Sequence, residues 1–185
     1  DNSDAAKFKI SSSGSLGTSD RVVITDGGPM TVYASAPGTE VLRTETVATN
    51  DDPNYRLIQA RGTPTNAVPT RIWNLTLTAS KTYLVEARVV ARRTGGIAGT
   101  AEDGAAYVIR SAYNTLAGTA TFIAEVAGFS QMDYGAESQG PFTASLTDGA
   151  SGSCAAVTDV CLLVTGNTNN DVTWHATVTV QDVGS

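Results

Sequence analysis

At 185 residues the chain is long enough to bury a sizeable core without a metal or disulfide staple. Acidic residues outnumber basic ones, 18 to 12, giving a net charge of −6, which argues against partnership with nucleic acid or with an anionic membrane surface. Only 16% of residues are charged, against roughly 25% in average proteins, and Thr, Ser, Ala, Asn and Gly fill the deficit, the composition of a β-rich, turn-rich protein of extracellular or virion type.

Residues 1–7 are polar, and residues 8–10 (FKI) form a short strand candidate. A Ser/Gly-rich loop follows at 11–20, then a strand at 21–25 (RVVIT) and a turn at 26–29 (DGGP). Strands at 30–35 and 40–47 flank the Ala36-Pro37-Gly38 turn, and a second turn cluster, TNDDPN, occupies 49–54. Residues 55–60 read as a short strand. Residues 62–69 (GTPTNAVP) carry two prolines and no periodicity, and mark the expected boundary between an N-terminal β-rich arm, 1–62, and a main sandwich, 63–185.

Beyond that boundary the alternation tightens. At 71–78, Trp73, Leu75 and Leu77 read as core, with Ile72, Asn74, Thr76 and Thr78 opposite. The short link Ala79-Ser80-Lys81 predicts a hairpin with the next strand. That strand, 82–93 (TYLVEARVVARR), is the strongest β signal in the chain: Tyr83, Val85, Ala87, Val89 and Ala91 face in, and Leu84, Glu86, Arg88, Val90 and Arg92 face out. A Gly-rich loop at 94–104 leads to a strand at 105–113, with Tyr107, Ile109 and Tyr113 on one face. Residues 119–126 place Phe122, Ala124 and Val126 inward, and 128–141 read as a second long loop. Phe142, Ala144 and Leu146 point inward from a further strand, residues 160–165 (VCLLVT) read as a buried strand, and GNTNND at 166–171 is a turn. The last strand, 172–180, sets Val172, Trp174, Ala176, Val178 and Val180 against Thr173, His175, Thr177 and Thr179. Helical periodicity is missing, no apolar run of about 18 residues exists to span a membrane, and no signal peptide is recognisable. The pattern predicts an all-β, antiparallel β-sandwich, jelly-roll-like, with an N-terminal β-rich arm.

Few residues offer chemistry. His175 is the single histidine and falls on an outward, Thr-lined face. A Ser-His-Asp or Cys-His mechanism would need it, but no G-x-S-x-G elbow accompanies it. The carboxylates Asp51, Asp52, Glu102, Asp103, Asp133 and Glu137 all fall in expected loops without the aromatic cluster of a sugar-cleaving cleft. Asp51-Asp52 and Glu102-Asp103 do not match calcium-loop spacing, and the Gly-rich loop lacks the ending of a phosphate loop. No enzyme activity, metal or other cofactor is therefore expected. Asn74-Leu75-Thr76 is a formal glycosylation sequon inside a strand. Cys154 and Cys161, separated by seven positions, either close a local disulfide or stand as small apolar residues. Phe129, Met132 and Tyr134 in the second long loop form either a ligand-contact platform or a lid on the sandwich edge.

The runs KTYLVEARVVARRTGG, GAAYVIRSAYNT, GTATFIAEV and CLLVTGNTNNDVTWHATVTVQDV together resemble the β-rich domains of tailed-bacteriophage virion proteins, of tail-fibre, spike or head-decoration type. The likeness covers roughly residues 73–183. It implies a non-enzymatic structural subunit on the virion surface, oligomeric with a trimer favoured, touching other virion proteins or a host-surface glycan. A secreted carbohydrate-binding β-sandwich module is the alternative of a different class.

Overall fold

A computed structural model of the chain describes residues 7–11, 20–25, 30–32, 40–45, 54–100, 103–116, 119–123, 132–137, 142–149 and 153–184. Its strands are β1 (Lys7–Ser11), β2 (Asp20–Thr25), β3 (Met30–Val32), β4 (Glu40–Glu45), β5 (Asn54–Gly62), β6 (Thr70–Thr76), β7 (Lys81–Gly96), β8 (Gly104–Leu116), β9 (Thr119–Phe122), β10 (Met132–Glu137), β11 (Thr143–Asp148), β12 (Asp159–Thr165) and β13 (Asn170–Gly184). The described residues contain no α-helix, and every strand pairing is antiparallel.

The large sheet runs β10-β8-β7-β13-β5-β4, with β9 also on β8. β9 takes the Tyr113–Leu116 end of the outer edge of β8, and β10 takes the Ala105–Ile109 end. Facing it is a three-stranded sheet, β11-β12-β6, and the two form an antiparallel β-sandwich. β1-β2-β3 make a separate small sheet. β4 and β5, which the sequence groups with the arm, belong to the large sheet, and β5 lies along β13 from Gly62 opposite Trp174 to Asn54 opposite Asp182.

The alternation expected of the central strands is present. Tyr83, Val85, Ala87, Val89 and Ala91 are buried on β7, and Val172, Trp174, Ala176, Val178 and Val180 on β13. Ala105, Tyr107, Ile109 and Tyr113 complete the inner face from β8. The small sheet answers with Trp73, Leu146, Val160, Leu162 and Val164, and Phe142 enters just before β11. Burying an aliphatic or aromatic side chain of this size contributes about 1.5–3 kcal/mol, so this interface dominates the stability of the sandwich. Tyr107 also ties the two layers by donating its hydroxyl to the Phe142 carbonyl at 2.6 Å.

Three local expectations are corrected. First, β6 and β7 do not form a hairpin: β6 pairs β12 and β7 pairs β8 and β13. The link between them crosses from one layer to the other through Ser80 in the left-handed region (φ 62°). Thr115 fixes this crossing, its backbone carbonyl accepting from Ser80 N at 3.0 Å and its hydroxyl accepting from Lys81 N at 3.2 Å, while the Tyr83 hydroxyl accepts from Thr78 N at 2.9 Å. A short link thus carries the chain between sheets because side chains on neighbouring strands satisfy its amides. Second, Ile72 is buried together with Trp73. A register shift at Leu162/Leu163 interrupts the β12–β6 ladder opposite this pair, so strict alternation fails there. Gly62 makes room for Ile72, since a Cβ at residue 62 would lie 2.1 Å from Ile72 Cγ2. Third, residues 128–141 are not all loop, because Met132–Glu137 is the strand β10, paired with β8.

Cys154 and Cys161 are joined in a disulfide with a Cα–Cα distance of 5.6 Å. Cys161 lies on the side of β12 away from the main core, and the bridge lays the preceding loop over it. That cover explains why Asp159, Val160, Cys161 and Leu162 are buried in succession instead of alternating. Replacing both cysteines with Ala is expected to cost about 2–3 kcal/mol, the value for so short a closed loop. The check is a urea unfolding curve with and without reductant: the native chain should lose stability on reduction and the double variant should not respond. An unchanged native curve would show that the bridge carries no stability.

Candidate functional site

Among the described residues, the His, Cys, Asp and Glu residues singled out from the sequence do not converge. Asp103 is buried and accepts from Thr100 N at 2.8 Å through its carboxylate, closing the turn before β8. Asp51, Asp52 and Glu102 lie outside the described residues, and Asp133 and Glu137 fall on β10. Among the described residues no group of His, Cys, Asp and Glu comes together as a metal site. The sequon residue Asn74 is half-buried and donates its side-chain nitrogen to Asp159 at 3.0 Å, so that nitrogen is engaged in the fold. Phe129 lies outside the described residues, while Met132 and Tyr134 belong to β10, opposite Ile109 and Val108.

Two buried carboxylates missed by the sequence reading hold the sandwich together. Asp182 continues the inward row Val178, Val180 at the end of β13. It accepts from Lys81 Nζ at 2.7 Å, from the Arg56 guanidinium at 3.0 Å and from Asn54 Nδ2 at 3.1 Å, so one carboxylate clamps β5, β13 and β7. Burial opposes its ionisation, but the Lys81 and Asn54 hydrogen bonds and the charges of Lys81 and Arg56 win and hold it below the ordinary aspartate range. Asp159 is buried at the start of β12, where it accepts from Asn74 and, at 3.0 Å, from Ala156 N. Its own desolvation is likewise outweighed by hydrogen bonds, from Asn74, Thr76, Ala156 and Thr158, and its pKa is lowered.

A concavity among the described residues lies on the outer face of the large sheet. It is a shallow, open groove of about 360 Å³ crossing β5, β13, β7 and β8. Register builds it: Thr177 stands between Gln59 and Arg88, and Arg88 is opposite Val108, while in the adjoining row His175 stands between Arg61 and Val90, and Val90 is opposite Ala106. The outward side chains Gln59, Arg88, Val90, Ala106, Val108, His175 and Thr177 line it, and the inward-facing Val89, Tyr107 and Ala176 lie beneath. Small residues at Ala106 and Thr177 among larger neighbours create the depression. Val90 is 58% exposed at its middle. His175 therefore sits on the outer face, as the alternation requires.

Among the described side chains, Arg61, Arg88, Arg92 and Arg110 point outward from β5, β7 and β8, as do Glu86 within the sheet and Asp171 near its end. Glu86 accepts from Arg110 at 2.8 Å and from Arg88 at 2.9 Å. The Arg110 hydrogen bond, opposed by partial burial and reinforced by Arg88, lowers the pKa of Glu86. No sequence motif marks this site, because its residues are scattered from 59 to 177 and only strand register assembles them. Comparison with protein-family models, with curated proteins and with solved structures found no match to this chain.

Proposed function

We propose that this chain is a non-enzymatic structural subunit of a bacteriophage virion, a capsid decoration, head-fibre or tail-fibre component that stabilises the particle or contacts the host surface. The observation that carries the reading is the use made of buried charge. Asp103, Asp159 and Asp182, the buried acids among the described residues, are engaged by main-chain amides, side-chain amides or cations that pin turns and strands. Investment of this kind favours mechanical persistence over catalysis. The phage-like strand sequences in residues 73–183 and the additional β1-β2-β3 sheet favour the same reading, since short sheets with unpaired edges are suited to docking on a neighbour or a shell. A carbohydrate-binding module is the second reading, favoured by the outer groove.

The test is co-sedimentation of the purified chain with particles that lack it, beside a variant deleted for residues 1–39. This cut spares β4 and β5, which the large sheet needs. The full chain is expected to pellet with particles as a self-associated species, a trimer first, and the shortened chain to lose particle binding or self-association while staying folded. A monomer that never joins a particle, whether or not residues 1–39 are present, would contradict the reading.

A further inference from the structure

We infer that Lys81 and Asn54 react with each other to form an intramolecular amide bond, with Asp182 carrying the protons and ammonia leaving. This goes beyond the structural reading above and does not depend on it. The three side chains come from the adjacent strands β7, β5 and β13 and share the inner face of the large sheet. Asn54 stands directly opposite Asp182 across the β5–β13 pair. On the other side Tyr83 is the residue opposite Asp182, and Lys81, next on the same face of β7, reaches the carboxylate on the diagonal. Gly184, opposite Lys81, has no side chain to hold the amine away. Lys81 Nζ donates to Asp182 Oδ1 at 2.7 Å, and Asn54 Nδ2 donates to that same oxygen at 3.1 Å. A primary amine and a primary amide therefore meet at one carboxylate oxygen, and among the described side chains Asp182 is the carboxylate that touches both.

That oxygen is where a proton carrier between the two nitrogens has to stand. Lys81 first gives one proton to Asp182, which turns ammonium and carboxylate into amine and acid. The freed lone pair of Nζ attacks Cγ of Asn54, and the carbonyl electrons move onto its Oδ1. Asp182 hands its proton to Nδ2 and takes a second one from Nζ. The Oδ1 electrons then restore the carbonyl, the Cγ–Nδ2 bond breaks, and ammonia leaves with the proton that Asp182 still holds. One C–N bond forms and one breaks, nothing is oxidised or reduced, and no further reactant is consumed. The fold supplies by position what a second reactant would supply by concentration. The Asp182 side chain is fully buried, so water does not compete for its proton, while Lys81 keeps 22% side-chain exposure, which gives ammonia an exit. The reaction is slow. Burial favours the acid form of Asp182, but Lys81, Asn54 and Arg56 hold it ionised, so it takes the first proton reluctantly. The freshly folded chain thus carries the ionic clamp, and the aged chain carries a bond that ties β5 to β7 across β13.

Intact-mass spectrometry of the reduced, denatured full-length chain reads the bond directly. The chain is expected to lose the mass of one ammonia, the lighter species growing from the minor to the major one over weeks at ambient temperature. Trypsin should then fail to cut after Lys81 and yield a branched peptide joining Lys81 to Asn54, which a cyclised asparagine elsewhere would not give. Lys81→Arg keeps a cation on Asp182, and Asn54→Ala keeps both ion pairs. Both variants are expected to fold, by circular dichroism, and to hold their full mass. Asp182→Asn, which lacks the proton carrier, should slow the reaction at least about a hundredfold, and the native chain with the other two variants decides the matter even where Asp182→Asn does not fold. Full mass in the aged native chain, with Lys81 open to trypsin, would show an ion pair only and overturn the inference. Loss of water with a branch from Lys81 to Asp182 would make the aspartate the acceptor and overturn the assignment to Asn54, and ammonia loss that persists in Lys81→Arg would do the same. Particle co-sedimentation is scored separately, so a missing bond and a failed virion reading give different patterns.

Discussion

Trp174→Ala is expected to destabilise the sandwich by about 3–5 kcal/mol, the upper range for truncating a core aromatic. The indole is fully buried on β13, the strand between β5 and β7. Small partners make room for it: Ala91 stands opposite on β7 and Gly62 on β5. The indole stacks on Tyr107, ring centres 6.2 Å apart, and meets Phe142 edge-on at 6.0 Å. Phe142 arrives from the other layer, so this trio joins the two sheets, and its removal opens a cavity that rigid strands cannot close. The indole Nε1 has no acceptor among the described residues, so the loss is one of packing and not of a hydrogen bond. Trp174→Phe should therefore recover part of the loss. Urea unfolding of the three proteins checks this, and a cost below about 1 kcal/mol for the Ala variant would show that the indole does not fill the core.

Asp182→Ala is expected to cost about 2–3 kcal/mol near neutral pH. Breaking a fully buried ion pair costs about 3–5 kcal/mol, but Lys81 and Arg56 retain 22% and 16% side-chain exposure, and water compensates them in part. The effect has a defined pH dependence. The carboxylate titrates lower in the folded chain than its ordinary value of 3.8. The unfolded state therefore takes up protons first as pH falls, and the clamp's contribution is complete above the unfolded pKa and lost through the folded one. Asp159 and Glu86 are lowered in the same direction, so the native chain should lose stability progressively below about pH 4. The gap between the native chain and the Asp182→Ala variant should shrink over that window. Unfolding free energies at pH 7 and pH 3 measure it, and a gap that stays constant or widens on acidification would contradict the clamp.

The sandwich was legible because its central strands obey one simple rule. On β7 and β13, consecutive side chains alternate between core and outer face, and burial follows that alternation without a break over Tyr83–Ala91 and Val172–Val180. Legibility failed where a second constraint overrode alternation. Ile72 is buried because of a register shift, and Asp159 and Cys161 because a disulfide-held loop covers the far side of β12. Asp182 hid at a strand end, where a carboxylate at an inward position looks like the end of the core until Lys81 and Arg56 are brought to it from 101 and 126 residues away. The β6–β7 crossing was misjudged because link length alone does not distinguish a hairpin from a step between layers. The groove was illegible for a stronger reason: outward residues such as Gln59, Arg88, Ala106 and Thr177 are ordinary surface positions one by one, and only pairing makes them neighbours.

The burial of Trp174 and the outward groove at Arg88 and His175 depend on one register, that of β13 between β7 and β5. A slip by one residue would send Trp174 outward and His175 into the core. Cross-strand proton contacts measured by NMR decide it. Ala176 should show them to Val89 on one side and to Ala60 on the other, with His175 beside Val90 and Arg61. Contacts that instead place His175 opposite Val89 and Ala60 would contradict both the core and the outward groove.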